Sequence, residues 1–172
     1  MEEYNDIYDE NRQKTGKVHL RGTTWQPGEY GLVVCVWVYD GLGNLLLTRR
    51  APEKSFPGTW ENSGGAAKAG EDSLTAICRE LFEETGILAE PGEFELIDRG
   101  QDSCTYYDFY CLQKVVPLSE IKLLPGETDN VMWADFQTVR RMTESGKICE
   151  VIGKQFLKQE SMLKLRNIPK DL

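Results

Sequence analysis

The segment from residue 64 to residue 87 reads GGAAKAGEDSLTAICRELFEETGI, a glycine-rich beginning followed by a dense group of acidic residues. The pattern from Asp72 to about Thr85 predicts a helix, and Gly86 is a typical helix stop signal. Within this helix Glu80, Glu83 and Glu84 crowd into five consecutive positions. Like charges three and four residues apart on a helix repel each other, so this group of carboxylates requires an explanation.

A helical wheel at about 100° per residue separates the apolar and acidic residues of this segment. The apolar stripe, which is the natural core-facing side, consists of Leu74, Ile77, Cys78 and Leu81. The three glutamates converge on an adjoining face, flanked by the small residues Ser73 and Ala76, so we expect open space above the carboxylates. Arg79 lies four residues before Glu83, which is the spacing of a helical ion pair.

Two interpretations of the glutamates are open. Charged residues on helices usually face solvent, so the group can be an ordinary solvated surface. A bound divalent cation also explains the convergence, the small neighbours and the glycine-rich loop, since clustered carboxylate oxygens suit Mg²⁺ or Mn²⁺. The second interpretation predicts a site for an anionic substrate, because the cation would supply positive charge that an acidic chain lacks.

The composition limits the classes of partner. The chain has 172 residues and a formal net charge of −8, so we expect no binding of nucleic acid. No apolar run approaches the roughly 20 residues of a membrane span, and the beginning, MEEYNDIYDENRQ, does not resemble a secretory signal. Five cysteines without a C-x-x-C pair, and His19 as the single histidine, argue against zinc and for reduced thiols in a cytoplasmic protein.

The order of apolar and polar segments predicts a mixture of strands and helices. Residues 1–22 predict a β-hairpin with a polar turn at 11–16 and with His19 on its surface. Further expected elements are strands at 31–40, 45–50, 93–99, 105–116 and 131–136, a loop at 51–65, and two final helices broken at Gly146. Because no βαβ regularity is present, we predict an α/β (α+β) fold with a mixed β-sheet sandwiched between helices. We expect one domain over 1–172, with the hairpin as an N-terminal extension and a C-terminal helix over 147–167.

The spacing of the acidic segment matches a known motif over residues 65–87. Gly65, five residues, Glu71, seven residues and then RELFEETGI fit the Nudix box, G-x5-E-x7-R-E-U-x-E-E-x-G-U with U aliphatic. The chain therefore resembles the Nudix hydrolase family, and the order of its strands and helices is similar as well. This resemblance implies a Nudix-like sheet between helices and Mg²⁺-dependent hydrolysis of a nucleoside diphosphate linked to another moiety, X, with a small-molecule diphosphate as substrate.

The resemblance also implies roles for individual residues. The expected ligands of Mg²⁺ or Mn²⁺ are Glu80, Glu83 and Glu84, with the Gly65 carbonyl as a backbone ligand. Arg79 and Glu71 are expected to orient the glutamates, although Glu71 can also be read as a first-turn acid favoured by the helix dipole. A general base on a later loop is common in the family, and Glu127 in PGETDNVMWADF is our candidate. Glu120 is the alternative, and Glu127 can also be an ordinary turn residue.

Two other functions stay open on the sequence. The segments DENRQKTGKVHLRG and LLLTRRAPEKSFPGTWENSGG resemble the family branch related to isopentenyl-diphosphate isomerase, but residues 60–65 contain neither the cysteine nor the histidines of that enzyme. A non-catalytic nucleotide-binding module is the other alternative, although a pure binder has no need for clustered glutamates. No aromatic residue is assigned to base recognition, and Arg49 and Arg50 either contact phosphates or form a solvated pair. The amphipathic C-terminal segment packs on the domain or on a partner subunit, which leaves a homodimer open.

Overall fold

The computed structural model describes residues 2–167 of the chain. Its strands are β1 (Tyr4–Tyr8), β2 (Lys14–Leu20), β3 (Gly31–Tyr39), β4 (Asn44–Arg50), β5 (Trp60–Glu61), β6 (Ser63–Ala66), β7 (Glu95–Asp102), β8 (Thr105–Gln113) and β9 (Thr128–Asp135). Its helices are α1 (Ser73–Thr85), α2 (Phe136–Glu144) and α3 (Glu150–Arg166), with short 3-10 turns at Pro91–Glu93 and Leu118–Glu120. The two final helices are separated around Gly146, as the sequence predicts.

Strands β3 to β9 form one mixed sheet. Its central path runs β5-β4-β3-β8-β7, while β6 also pairs with β3 and β9 pairs with β4. Strands β3 and β8 are parallel, from Gly31 opposite Thr105 to Tyr39 opposite Gln113, and the other pairings are antiparallel. The predicted mixed sheet is therefore confirmed.

The central strand β3 is buried on both faces, which explains its nearly unbroken apolar sequence. On one face Trp37 belongs to a core that includes Phe156 of α3 and residues of α2. On the other face Val34 and Val36 belong to a core that includes Ile77 of α1. Helices therefore cover both faces of the sheet, as predicted, and α1 lies on the face opposite α2 and α3.

Strands β1 and β2 pair with each other in a separate two-stranded sheet, so the predicted N-terminal hairpin is present. The hairpin lies along the segment that leads into α1. The Asn5 amide donates to the Ala67 carbonyl at 2.7 Å, and the backbone N–H of Ala69 donates to the Tyr4 carbonyl at 2.7 Å. These bonds fix the hairpin beside the glycine-rich segment.

Several local predictions were wrong. Residues 51–65 are not all loop, because β5 and β6 pair with β4 and β3; strands this short show no sequence periodicity. The predicted strand at 93–99 is shifted to β7, and β8 ends earlier than residue 116. His19 is buried rather than on the hairpin surface, since its ring stacks on Trp25 with 3.7 Å between centroids.

Within residues 2–167, none of the helices combines the length and the hydropathy that a membrane span requires.

Candidate functional site

Helix α1 is fixed at both ends by local signals. The Asp72 carboxylate caps its N-terminus by accepting a hydrogen bond from the Thr75 N–H at 2.7 Å. Gly86 ends the helix in the left-handed conformation, at φ 72°, and its N–H donates to the Phe82 carbonyl. Glu71 therefore precedes the cap and lies outside the first helical turn, so the helix-dipole interpretation of this residue was wrong.

The core-facing side of α1 differs from the predicted stripe. Ala76, Ile77 and Leu81 are fully buried, whereas Leu74 and Cys78 are only partly buried. Ala76 thus packs in the core, and the Ser73 hydroxyl donates to Asp108 at 2.6 Å. The prediction that Ser73 and Ala76 leave open space above the glutamates was therefore wrong.

The space is provided instead by two glycines of β6. Glu80, Glu83 and Glu84 line one cavity of about 240 Å³ together with Gly64 and Gly65, which we call the glutamate cavity. A Cβ at Gly65 would lie 2.5 Å from the carboxyl carbon of Glu80, and a Cβ at Gly64 would lie 2.2 Å from the Val34 carbonyl oxygen. Only glycine fits at position 64, where the clash is with backbone, and a side chain at position 65 would displace the Glu80 carboxylate. The expected convergence of the glutamates beside Gly65 is present.

Arg79 joins the acidic residues of the cavity. Its Nε and Nη2 donate to Glu71 at 2.6 and 2.8 Å, and its Nη1 donates to Glu80 at 2.7 Å and to Glu83 at 3.1 Å. Nη2 also donates to the Ala66 carbonyl at 3.1 Å, which ties the helix to β6. Burial alone raises the pKa of Glu71, but the hydrogen bonds from Arg79 outweigh it and bring that pKa below its usual value. The predicted Arg79–Glu83 pair is present, although Arg79 is shared among three carboxylates.

Glu84 differs from the other two glutamates because it has no basic partner among residues 2–167. It is only 8% exposed, and its Oε2 accepts a hydrogen bond from the Gly64 N–H at 3.2 Å. Burial, reinforced by the nearby carboxylates of Glu61 and Glu80, raises the pKa of Glu84 well above its usual 4.5. A buried carboxylate in this environment is costly unless it is protonated or meets a cation.

Glu61 of β5 is a further acidic residue near Glu84, although it does not line the glutamate cavity, and the sequence did not identify it. The Arg50 guanidinium donates to both of its carboxylate oxygens, at 2.9 and 2.7 Å, and both side chains are largely buried. Burial raises the pKa of Glu61, and Arg50 partly offsets this rise. The available signal was an acidic residue just before the glycine-rich strand. Because a loop was predicted there, nothing in the sequence fixed the direction of the side chain.

Glu127 reaches the glutamate cavity from the loop before β9. Its carboxylate pairs with Lys54, which also lines the cavity, and its carbonyl accepts a hydrogen bond from the Ala51 N–H at 3.0 Å. Glu120, the alternative general base, lies in the exposed 3-10 turn and is not part of the lining. The structure thus brings Glu127, and not Glu120, to the glutamates.

The arginines of β4 are not among the basic residues that line the glutamate cavity. Besides Arg79, these lining residues are Arg21, Lys54 and Lys68. Arg50 is engaged by Glu61, and Arg49 pairs with Asp129 at 2.7 Å. Arg49 and Arg50 thus form separate ion pairs, the first at the surface and the second largely buried.

The donor atoms of the cavity suit a hard divalent cation. Carboxylates of Glu80, Glu83 and Glu84 and the backbone of Gly65 face one space, and Glu84 lacks a basic partner within the described part of the chain. No three acidic, histidine or cysteine side chains of residues 2–167 are already arranged as a metal site. Arg79 instead pairs with Glu80 at 2.7 Å and with Glu83 at 3.1 Å. A cation would have to compete with Arg79 for these two carboxylates.

Comparison with known proteins agrees with the family resemblance of the sequence. The family model described as NUDIX domain matches residues 29–149. A protein of Listeria monocytogenes that carries the name uncharacterized Nudix hydrolase is 32% identical over 166 residues, which cover 95% of this chain and 96% of the relative. Residues 1–28, which include the hairpin, lie outside the segment matched by the family model.

Two solved structures share the fold. The crystal structure of DR0079 from Deinococcus radiodurans superposes with a TM-score of 0.71 at 20% identity, over 86% of this chain and 92% of that chain. A bifunctional NMN adenylyltransferase/ADP ribose pyrophosphatase from Francisella tularensis, complexed with AMP and an Mn ion, superposes with a TM-score of 0.60 at 19% identity. That match covers 81% of this chain and 43% of the other. At these identities the two structures support the fold alone.

Proposed function

The chain belongs to the Nudix hydrolase family, and on this premise we propose that it hydrolyses the diphosphate linkage of a nucleoside diphosphate joined to another moiety, X, in a reaction that requires Mg²⁺ or Mn²⁺. The hydrolase class follows from the family. The metal requirement and the nucleoside diphosphate are our proposal. The Mn ion and the ADP ribose activity of the Francisella tularensis protein support both points by analogy only.

The observation that carries the proposal is the environment of Glu84. This carboxylate is buried next to Glu61 and Glu80, and among residues 2–167 it has no ion-pair partner. A solvated charged face would leave Glu84 in water, and a purely structural role would supply a basic residue. A divalent cation provides the missing positive charge.

The residues that would hold the cation are Glu80, Glu83, Glu84 and the carbonyl of Gly65. A bound divalent cation would neutralise charge on the diphosphate and lower the pKa of water. Arg79 is proposed to position Glu80 and Glu83, since its guanidinium is itself anchored on Glu71. Glu127 is proposed as the general base, because its carboxylate lines the cavity from the loop before β9 and can accept a proton from water. Glu3, the other lining carboxylate outside α1, is paired with Arg21 of its own hairpin.

The test is to incubate the chain with a panel of nucleoside diphosphate derivatives and free diphosphates, in ¹⁸O-water with Mg²⁺, Mn²⁺ or EDTA. The products are separated by chromatography, and their masses are measured by mass spectrometry. We expect a metal-dependent product with the label on phosphate. Label on a carbon of X would indicate a different reaction class. Isopentenyl diphosphate is included in the panel; its conversion to dimethylallyl diphosphate would favour the isomerase alternative, which we do not expect because residues 60–65 lack cysteine and histidine.

The proposed partner is thus a small molecule, and no nucleic-acid surface is proposed for a chain of net charge −8. We further propose a cytoplasmic location. All five cysteines are free, including the buried Cys35, Cys111 and Cys149, which suits a reducing compartment.

A further inference from the structure

The N-terminal hairpin contributes two charged residues to the glutamate cavity. Glu3 lies just before β1 and Arg21 lies just after β2, and both line the cavity. Their side chains form an ion pair, and the Arg21 backbone N–H donates to the Glu3 carbonyl at 2.9 Å. The Glu3 carboxylate therefore stands at the mouth of the site, where it is held by its own hairpin.

Lys68 connects this carboxylate to the glutamates of α1. Its Nζ lies 3.5 Å from Oε1 of Glu3 and 3.6 Å from Oε1 of Glu83. One carboxylate of the hairpin thus lies between two cations, Arg21 and Lys68, and the second of these also approaches the glutamate cluster. Without the Glu3 carboxylate, Arg21 and Lys68 could bind a phosphate group in its place, because Arg and Lys are the usual side-chain partners of phosphate oxygens.

The fold does not depend on these ion pairs. The Arg21 side chain is 58% exposed and the Lys68 side chain is 37% exposed, and ion pairs of this kind contribute little to stability. Within residues 2–167, the side chain of Arg21 pairs only with Glu3, and the side chain of Lys68 pairs only with Glu3 and Glu83. Both cations are therefore available to a more highly charged anion.

The space behind Arg21 allows a substrate to extend past this point. A second cavity of about 190 Å³ shares Arg21 and Ala66 with the glutamate cavity. Its other walls include Asn5 and His19 of the hairpin and Thr23 of the turn that follows. The same cavity is also lined by the apolar side chains of Trp25, Leu32 and Val33. An anion held by Arg21 would thus sit between the glutamates and a mixed polar and apolar space large enough for part of a substrate.

We propose that Arg21 and Lys68 form a subsite for a phosphoryl group of the substrate, and that the Glu3 carboxylate occupies this subsite until the substrate displaces it. The identity of the anion as a substrate phosphate rests on the proposed function. The subsite itself rests on the positions of three side chains, two of which come from the hairpin outside the segment matched by the family model. Glu3 acts as an internal competitor that sets how tightly a phosphate is bound.

The test is a calorimetric titration of the full chain with inorganic diphosphate in EDTA, which does not require turnover. Glu3→Gln is compared with Glu2→Gln, a matched control that removes the same charge from the neighbouring residue; Glu2 accepts a hydrogen bond from Tyr4 and does not line the glutamate cavity. Because an exposed ion pair is worth little, we expect Glu3→Gln to tighten binding by roughly two- to fivefold relative to Glu2→Gln. Adding Arg21→Gln to Glu3→Gln should abolish the gain. Lys68 is left unchanged, since it also approaches Glu83.

Two results would overturn the subsite. One is an equal change in diphosphate affinity for Glu2→Gln and Glu3→Gln, which would indicate an effect of net charge alone. The other is tighter diphosphate binding that persists when Arg21→Gln is added to Glu3→Gln, in a variant whose melting temperature is unchanged. If a substrate is found, KM should fall by the same factor in Glu3→Gln at constant kcat. The subsite and the proposed function fail separately. If turnover depends on metal but Glu3→Gln leaves diphosphate binding unchanged, the proposed function is retained and the subsite is excluded. If Glu3→Gln gives the expected change in binding but no metal-dependent turnover is found, the subsite is retained and the proposed function is excluded.

Discussion

Arg79 and Glu71 are joined by two hydrogen bonds, of 2.6 and 2.8 Å, although Glu71 lies before the cap of the helix that carries Arg79. Both side chains are largely buried, and the same guanidinium reaches Glu80 and Glu83. Glu71 therefore fixes the direction in which Arg79 presents its remaining N–H groups. The position of the glutamates depends on a residue that does not itself line the glutamate cavity.

The first prediction follows from this pair. Glu71→Gln keeps one acceptor but removes the charge, so Arg79 should turn further towards Glu80 and Glu83 and compete more strongly with a cation. We expect weaker Mn²⁺ binding, turnover lower by about tenfold, and a stability loss of about 2 kcal/mol. Glu93→Gln, which breaks an exposed ion pair with Lys114, is the control. A variant that loses stability but keeps the Mn²⁺ affinity would reduce Glu71 to a structural residue.

Removing the charge of a proposed ligand should abolish most activity. Glu83→Gln and Glu84→Gln should each lower kcat by roughly a hundredfold or more, because a lost anionic ligand costs several kcal/mol of transition-state stabilisation. Glu150→Gln removes an exposed glutamate whose partner is Lys154, and it should leave kcat unchanged. Full activity of both variants at saturating metal would contradict the ligand assignment.

The raised pKa of Glu84 predicts a pH dependence of stability with a definite sign. The folded chain holds the Glu84 proton more tightly than the unfolded chain, whose ordinary pKa is 4.5. The contribution of this group to the free energy of unfolding is therefore fully present below pH 4.5 and is lost as the pH rises through the raised pKa. In EDTA, Glu84→Gln should have a flatter dependence on pH than the wild type and should be more stable at neutral pH. Urea unfolding at a series of pH values measures this difference; parallel curves for the two proteins would contradict it.

The two candidate general bases can be separated by matched substitutions. Glu127 lines the glutamate cavity and Glu120 does not, although both are glutamates of the segment between β8 and β9. Glu127→Gln should lower kcat by roughly a hundredfold with little change in Mn²⁺ affinity, in line with the usual contribution of a general base. Glu120→Gln should have no effect on either quantity. The reverse pattern in kcat would transfer the role to Glu120.

The sequence predicted those parts of the site that local chemistry determines. The helix beginning near Asp72, the stop at Gly86 and the helical spacing of Arg79 and Glu83 all involve residues close together in the chain, and all are present. The residues that the sequence missed depend on tertiary pairing. Glu61 comes near Glu84 on β5, which pairs with β4, and His19 is buried because Trp25 stacks on it.

The space above the glutamates illustrates the same limit. A helical wheel assigned it to Ser73 and Ala76, which lie near the glutamates in projection. The structure forms it instead with Gly64 and Gly65, whose missing side chains matter only because β6 passes close to β3 and α1. No local signal gives that distance, so the role of these glycines could be inferred only from the motif.

The most direct test of the account is a titration of the metal-free chain with Mn²⁺, with free Mn²⁺ measured by electron paramagnetic resonance. If the glutamates exist to hold a divalent cation, the wild type and Glu150→Gln should bind Mn²⁺ with equal affinity, and Mg²⁺ should compete for the same site. Glu84→Gln, which removes the buried carboxylate without a basic partner, should weaken binding by at least about tenfold. Equal binding by wild type and Glu84→Gln, or no saturable binding by either, would contradict the account and return the glutamates to an ordinary charged helix face.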